Sequence, residues 1–141
     1  MSKLRGAFTA LVTPMFADGS IDYEGWRKLV QLQLEGGIDG LLALGTTGET
    51  PTLDENEEEV KLLDIIMAEA KAFEQKSGRK VPVIVGAGSN CTKDAVEYVQ
   101  RAKDLGADYA LVVTPYYNKA TQKGLIEHFT YVADRVDLPM I

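Results

Sequence analysis

Residues 45–49 (GTTGE) combine residue types that can bind a small anion. They follow an apolar run and precede a predicted helix, so their hydroxyl and backbone N–H groups lie where a helix amino terminus favours negative charge. We interpret the segment as a site for a small carboxylate. Two alternatives stay open: the glycines can serve turn geometry with Thr46 and Thr47 as caps, and Glu49 can tie the loop together as readily as it can move a proton.

Residues 114–119 (TPYYNK) place two phenolic hydroxyls after another apolar run. A tyrosine can relay a proton when its partner lies within hydrogen-bond reach, which makes Tyr116 and Tyr117 candidates for proton transfer. Tyrosine is also enriched at protein interfaces. The alternative is therefore that the Tyr116–Tyr117 loop fills a subunit contact, through which the chain assembles as a dimer or tetramer.

Composition excludes several classes of partner for this chain of 141 residues. Its formal net charge of −6 argues against nucleic acid, whose binding proteins concentrate Lys and Arg on one face. No apolar run approaches the roughly 20 residues that span a bilayer, and the amino terminus lacks the order of a signal peptide. We expect a cytoplasmic protein that does not bind membranes. The single cysteine, Cys91, has no clustered histidine or second cysteine beside it, so no metal site is predicted.

Four short apolar runs rich in Val and Ile, at 6–13, 40–45, 81–88 and 109–114, predict strands that are buried on both faces. Helices are predicted between them. The first spans 23–35 and is capped by Asp22. The second begins at a capping box from Thr52 to Glu55 and ends at Phe73 or Lys76. The third spans 92–105, and the fourth spans 121–135 with Thr121 as its cap.

Strands that alternate with helices of this length indicate parallel βαβ units. A fifth strand is expected to begin at residues 138–141. The acidic residues Glu57, Glu58 and Glu59 are interpreted as a solvated face at the start of the second helix, where negative charge is favourable. His128, which has no nucleophile near it in sequence, is interpreted as a packing or surface histidine.

Parallel repeats of this kind form either an open doubly wound sheet or a closed barrel. Residues 86–91 imitate a dinucleotide fingerprint but have Cys91 in place of the third glycine, so no dinucleotide cofactor is expected. Polar residues instead follow three of the four strands, as at the carboxyl face of a (β/α)8 TIM barrel. Because such a barrel needs about 250 residues, we expect residues 1–141 to form one domain, the amino-terminal half-barrel. Its uncovered edge strands favour self-association.

The segments VTPMFADGSID, LGTTGE and VTPYYNK, in this order and spacing, resemble the dihydrodipicolinate synthase family of pyruvate-dependent class I aldolase-type lyases. The resemblance covers the whole chain. GTTGE is shared with N-acetylneuraminate lyase and the 2-keto-3-deoxy sugar-acid aldolases, whereas Asn118 after TPYY favours the synthases. The resemblance implies a (β/α)8 barrel that condenses pyruvate, held as a lysine Schiff base, with aspartate semialdehyde in lysine and diaminopimelate biosynthesis, without a cofactor.

The resemblance also implies residue roles. Thr46 and Thr47 would bind the pyruvate carboxylate, and Thr46 would join a proton relay. Tyr117 would reach across a dimer interface into the neighbouring site, which makes it catalytic there.

The same resemblance implies a regulatory site. Asn90, Asp94 and Tyr116 fall where feedback-inhibited members bind lysine. The pattern departs at Glu55 and Glu58, where some inhibited members have histidines.

The part of the family that carries the Schiff-base lysine, a second relay tyrosine and a substrate-binding arginine has no matching position here. None of the ten lysines lies in a predicted strand, and Lys119, the nearest to the expected site, is on a loop. We therefore expect these 141 residues to be inactive alone. The alternatives are a non-catalytic half-barrel that assembles with itself and a phosphate-binding half-barrel, the latter disfavoured because no basic residue flanks GTTGE.

Overall fold

The computed structural model describes residues 4–141, in which strands and helices alternate. The strands are β1 (Phe8–Ala10), β2 (Gly40–Ala43), β3 (Val83–Gly86) and β4 (Tyr109–Leu111). The helices are α1 (Tyr23–Glu35), α2 (Glu58–Ser77), α3 (Thr92–Asp104) and α4 (Gln122–Ala133), and two short 3₁₀ turns, Thr46–Gly48 and Thr50–Thr52, lie between β2 and α2. The sheet order is β1-β2-β3-β4, and β1 pairs with β2, and β3 with β4, in parallel. The predicted series of parallel βα units is confirmed.

The chain divides into two compact units, one ending at Val83 and the other beginning at Ile84. In the first unit, Trp26 of α1 is only 1% exposed, and its indole N–H donates to the Leu62 carbonyl of α2 at 3.0 Å. This bond satisfies the one polar atom of a large apolar ring. Other large, fully buried side chains of this unit are Leu11, Val30, Leu41, Leu62, Leu63 and Ile66.

The second unit contains β3 from Ile84 onward, β4 and the start of the predicted fifth strand. The Ala110 N–H donates to the Pro139 carbonyl at 2.9 Å, and the Ile141 N–H donates back to the Ala110 carbonyl at 2.9 Å. This parallel bridge confirms that a strand begins near the carboxyl end of the described residues. Buried side chains of this unit include Val85, Ala95, Val99, Ala102 and Val132. The expectation that residues 1–141 form a single domain stays a prediction.

The amino terminus of α2 differs from its prediction. The capping box from Thr52 to Glu55 is wrong, because Thr52 belongs to a 3₁₀ turn and α2 begins at Glu58. The Asp54 carboxylate accepts the Glu57 N–H at 2.8 Å, while the Glu58 carboxylate accepts the Asp54 N–H at 2.9 Å. These two bonds link Asp54 to the residues at the start of α2, whereas Glu57, the N-cap residue, makes no side-chain cap bond.

Two further expectations meet mixed outcomes. Glu59 is 6% exposed, so the acidic run is not wholly a solvated face, whereas Glu57 beside it is exposed. His128 is 4% exposed and therefore packs in the interior of its unit.

Among residues 4–141, no helix has both the length and the apolar character needed to cross a membrane.

Candidate functional site

The turn that follows β2 presents hydrogen-bond donors without internal acceptors. The Gly48 N–H donates to the Gly45 carbonyl at 3.0 Å and closes the turn around Thr46 and Thr47, both of which are exposed. Within residues 4–141, neither the hydroxyl nor the backbone N–H of either threonine has a protein acceptor. Two hydroxyls and two amides are thus free to bind an acceptor that arrives from solvent.

Buried and half-buried hydroxyls hold this turn in place. The Thr13 hydroxyl donates to the Gly48 carbonyl at 2.7 Å and is buried, with Thr13 only 7% exposed. The Thr50 hydroxyl donates to the Gly45 carbonyl at 3.0 Å. A Cβ added at Gly48 would lie 3.2 Å from the Leu11 carbonyl oxygen, so the turn packs tightly against the segment after β1. Sequence reasoning missed the anchoring role of Thr13, because its acceptor is 35 residues away.

Two non-glycine residues flank the turn in the left-handed backbone region. Leu44 has a φ of 54° and Glu49 a φ of 55°, values that non-glycine residues adopt at a cost and that cluster at functional sites. Glu49 is exposed. This exposure removes the interpretation in which a buried Glu49 carboxylate ties the loop together.

In the second unit, the loop between β4 and α4 exposes the predicted tyrosines. Tyr117 is 97% exposed and has a φ of 68°, while Tyr116 is 55% exposed. The Asn118 side-chain amide donates to the Asn90 carbonyl at 2.8 Å, so this loop is tied to the segment between β3 and α3. Asn118 thus connects two loops through a hydrogen bond, a role that its place in the TPYYN motif did not predict.

The residues proposed for lysine binding all belong to the second unit. Asp94 is half-buried in the first turn of α3, and Asn90 is half-buried just before that helix. The Asn90 amide nitrogen lies 3.4 Å from the Asn118 side-chain oxygen. Within the described part of the chain, no hydrogen bond joins Asn90, Asp94 and Tyr116 to one another.

His128 is the buried titratable group of the second unit. Its Nδ1 lies 2.8 Å from the Thr92 hydroxyl at the start of α3, and its buried Nε2 has no hydrogen-bond partner among residues 4–141. Burial lowers the pKa of His128, because the charged imidazolium is disfavoured away from water. The neutral ring therefore joins α4 to the amino terminus of α3.

Residues 4–141 contain few candidates for a covalent nucleophile or a metal site. All nine lysines in this range are exposed. No group of three or more His, Cys, Asp or Glu side chains in the same range is arranged to hold a metal ion. The free thiol of Cys91 is exposed.

Residues 3–141 match the model of the dihydrodipicolinate synthetase family. The 4-hydroxy-tetrahydrodipicolinate synthase of Bradyrhizobium diazoefficiens is 49% identical over 140 residues, which are 99% of this chain and 44% of that protein. The chain thus spans less than half the length of the curated relatives that it matches.

Solved structures agree with this similarity. The chloride-inhibited dihydrodipicolinate synthase of Acinetobacter baumannii in complex with pyruvate superposes with a TM-score of 0.89 at 43% identity, over 98% of this chain and 45% of that one. The enzyme of Cyanidioschyzon merolae with lysine bound gives a TM-score of 0.86 at 39% identity, over 97% of this chain and 44% of that one. The chain belongs to the dihydrodipicolinate synthetase family of TIM-barrel proteins and corresponds to the first four βα units and the beginning of the fifth strand.

Proposed function

We propose that this chain is the amino-terminal part of a cytoplasmic 4-hydroxy-tetrahydrodipicolinate synthase. The enzyme would condense pyruvate, held as a lysine Schiff base, with L-aspartate 4-semialdehyde in lysine and diaminopimelate biosynthesis. The observation that carries the proposal is the exposed turn at Thr46 and Thr47, whose hydroxyls and amides have no acceptor in the described part of the chain. Relatives of that name at 46–50% identity support it.

In this proposal, Thr46 and Thr47 bind the pyruvate carboxylate. A carboxylate accepts several charge-assisted hydrogen bonds, which are shorter and stronger than bonds between neutral groups. A carboxylate fixed in this way orients the adjacent keto carbon toward the attacking amine. The Thr46 hydroxyl and the Tyr117 hydroxyl would carry protons during formation of the Schiff base, with Tyr117 acting in the site of a neighbouring subunit.

A thermal shift experiment tests the carboxylate site. Pyruvate stabilises the folded state by mass action if it binds there. We expect pyruvate to raise the melting temperature of the wild-type chain, and to raise it much less in Thr46→Val and Thr47→Val. Thr52→Val removes an exposed hydroxyl outside the turn, one that donates to the Glu49 carbonyl, and serves as the control. Equal shifts in all four proteins would contradict the assignment.

A Schiff-base lysine must be partly neutral near pH 7, which requires burial or a nearby cation. Because the nine described lysines are exposed, we propose that none of them, including Lys119, is the nucleophile. The intact mass of the 141-residue chain should therefore not change after treatment with pyruvate and sodium borohydride. A covalent pyruvate adduct on this chain would overturn this part of the proposal.

We further propose self-association through the Tyr116–Tyr117 loop, to a dimer or tetramer. The support is the exposure of both rings, which leaves large apolar surface to be covered. Sedimentation of Tyr117→Ala should show smaller species than the wild-type chain. An unchanged distribution would count against the loop as an interface.

The alternatives are a non-catalytic half-barrel that assembles with itself and another pyruvate aldolase, such as N-acetylneuraminate lyase or a 2-keto-3-deoxy sugar-acid aldolase. Borohydride trapping of pyruvate on a chain extended with the family's remaining segment would exclude the first, because only a Schiff-base enzyme becomes covalently labelled. A chain extended with the family's remaining segment would distinguish the second, because only a synthase would consume aspartate semialdehyde.

A regulatory lysine site at Asn90, Asp94 and Tyr116 is proposed as a second element. The half-buried Asp94 carboxylate can pair with a ligand ammonium group. Calorimetric titration with L-lysine should give heat that is lost in Asp94→Asn. Heat that persists in this variant would place the lysine elsewhere.

A further inference from the structure

Tyr117 lies at the centre of a three-residue turn. The Asn118 N–H donates to the Tyr116 carbonyl at 2.8 Å, and the φ of Tyr117 between them is 68°. A hydrogen bond from residue i+2 to residue i with positive φ at the central residue defines the rare, strained form of the γ-turn. Strained backbone persists only where the surroundings over-determine it.

The Tyr117 side chain does not provide that constraint. It is 97% exposed, so no packing within its unit fixes the ring. The next residue, Asn118, supplies a contact instead, because its side-chain amide donates to the Asn90 carbonyl at 2.8 Å. A weaker reciprocal contact, from the Asn90 amide to the Asn118 side-chain oxygen, measures 3.4 Å.

The segment that receives the Asn118 bond is itself anchored on both sides of Asn90. The hydroxyl of Ser89, which is 5% exposed, accepts the Cys91 N–H at 3.1 Å. Thr92 is bonded to the buried His128 ring at 2.8 Å. The Asn90 carbonyl is therefore a fixed acceptor to which the loop between β4 and α4 can be held.

We infer that Asn118 is a positioning residue that holds the strained turn at Tyr117 by donating to the Asn90 backbone carbonyl. Because no packing within its own unit fixes the Tyr117 ring, the backbone of this turn sets the direction in which the side chain leaves the loop. An effect of this turn on proton transfer rests on the proposed function, which gives Tyr117 its role. The effect of Asn118 on the backbone geometry of Tyr117 does not depend on that proposal.

The two asparagines make an asymmetric test possible. Asn118→Ala removes the donor of the 2.8 Å bond, whereas Asn90→Ala leaves the acceptor of that bond, a backbone carbonyl, in place. Only the 3.4 Å contact depends on the Asn90 side chain. We therefore expect Asn118→Ala to release the turn and Asn90→Ala to retain it.

The readout is nuclear magnetic resonance of the ¹⁵N-labelled 141-residue chain. Positive φ gives a strong Overhauser effect between the amide and α protons of one residue, and we expect it at Tyr117 in the wild type and in Asn90→Ala. In Asn118→Ala this effect should weaken, and the residue-118 amide should exchange about tenfold faster, a factor that corresponds to the net contribution of one hydrogen bond. Lys119→Ala, another positive-φ position of the loop, is the matched control and should behave as wild type.

Asn118→Asp is a second variant that retains the size of the side chain but loses its donor, and it should release the turn in the same way. An unchanged Overhauser effect and exchange rate in both Asn118 variants would overturn the inference. Loss of the turn in Asn90→Ala to the same extent would also overturn it. Pyruvate titration of the same samples separates this inference from the proposed function. If the Asn118 variants release the turn but the wild-type chain does not bind pyruvate, only the proposed function is refuted.

Discussion

Replacement of Thr13 by valine should destabilise the first unit and disturb the turn at Thr46 and Thr47. Valine retains the shape of threonine but cannot donate, so the buried Gly48 carbonyl loses its 2.7 Å bond. A buried acceptor left without a partner costs about 1–3 kcal/mol. Pyruvate affinity should fall as well, because Gly48 closes the turn that presents both threonines.

Urea unfolding followed by fluorescence of the single tryptophan provides the assay. Trp26 is buried in the same unit as Thr13, so its emission reports unfolding of the region that the substitution affects. A loss of about 2 kcal/mol with an m value of about 2 kcal/mol/M lowers the midpoint by about 1 M. Thr52→Val is the matched control, since its hydroxyl also donates to a backbone carbonyl but is exposed, and water can replace it.

The midpoint of Thr52→Val should stay close to that of the wild type, because surface substitutions usually change stability by less than about 0.5 kcal/mol. If Thr13→Val shifted the midpoint no more than Thr52→Val, the bond to Gly48 would not hold the turn. The explanation of how this turn is positioned would then be wrong.

Three other predictions concern stability. Burial lowers the pKa of His128 in the folded state, whereas an unfolded chain has a histidine pKa of about 6.5 and binds the proton more readily, so the stability of the folded state should fall as the pH drops below about 6.5. His128→Gln should make the melting temperature depend less on pH between pH 7 and pH 5. An equal pH dependence in the variant and the wild type would contradict this prediction. A Cβ at Gly88 would lie 2.5 Å from a backbone nitrogen, so Gly88→Ala should lower the free energy of unfolding by about 1–3 kcal/mol. Gly124→Ala in α4, where the nearest atom is 3.4 Å away, should change it little or raise it, and equal losses in the two variants would refute the steric argument. Asp54→Ala should cost about 1 kcal/mol by removing the carboxylate that accepts the Asn56 and Glu57 N–H groups just before α2, and an equal loss in Thr52→Ala would favour the capping residue predicted from sequence.

Signals between residues close together in the sequence predicted the helices and strands better than they predicted the contacts of the candidate site. The bounds of α1 follow from the Asp22 cap, whose carboxylate accepts the Gly25 N–H at 2.8 Å, and from the glycine pair that ends the helix. The strands are shorter than their apolar runs because hydrophobicity extends beyond the paired residues. Val12 and Val113, for example, lie outside the strands and are 52% and 49% exposed.

The contacts that position the candidate site could not be predicted in the same way. The Thr13 bond to Gly48 joins residues 35 apart, and the Asn118 bond to Asn90 joins residues 28 apart. Neither pair has a periodic or local signature, since each depends on how separate βα units pack. The family resemblance identified the exposed threonines and tyrosines, whereas the structure identified the hydrogen bonds that hold their loops.

The most direct test of the central claim is titration of the ¹⁵N-labelled chain with pyruvate, followed by amide chemical shifts. Sodium acetate and sodium chloride at equal concentration control for a generic carboxylate and for ionic strength. If Thr46 and Thr47 bind the pyruvate carboxylate, their amide signals should shift saturably, and Thr47→Val should weaken the response. Shifts that never saturate, or that occur away from residues 45–49, would contradict the assignment of this turn as the carboxylate site.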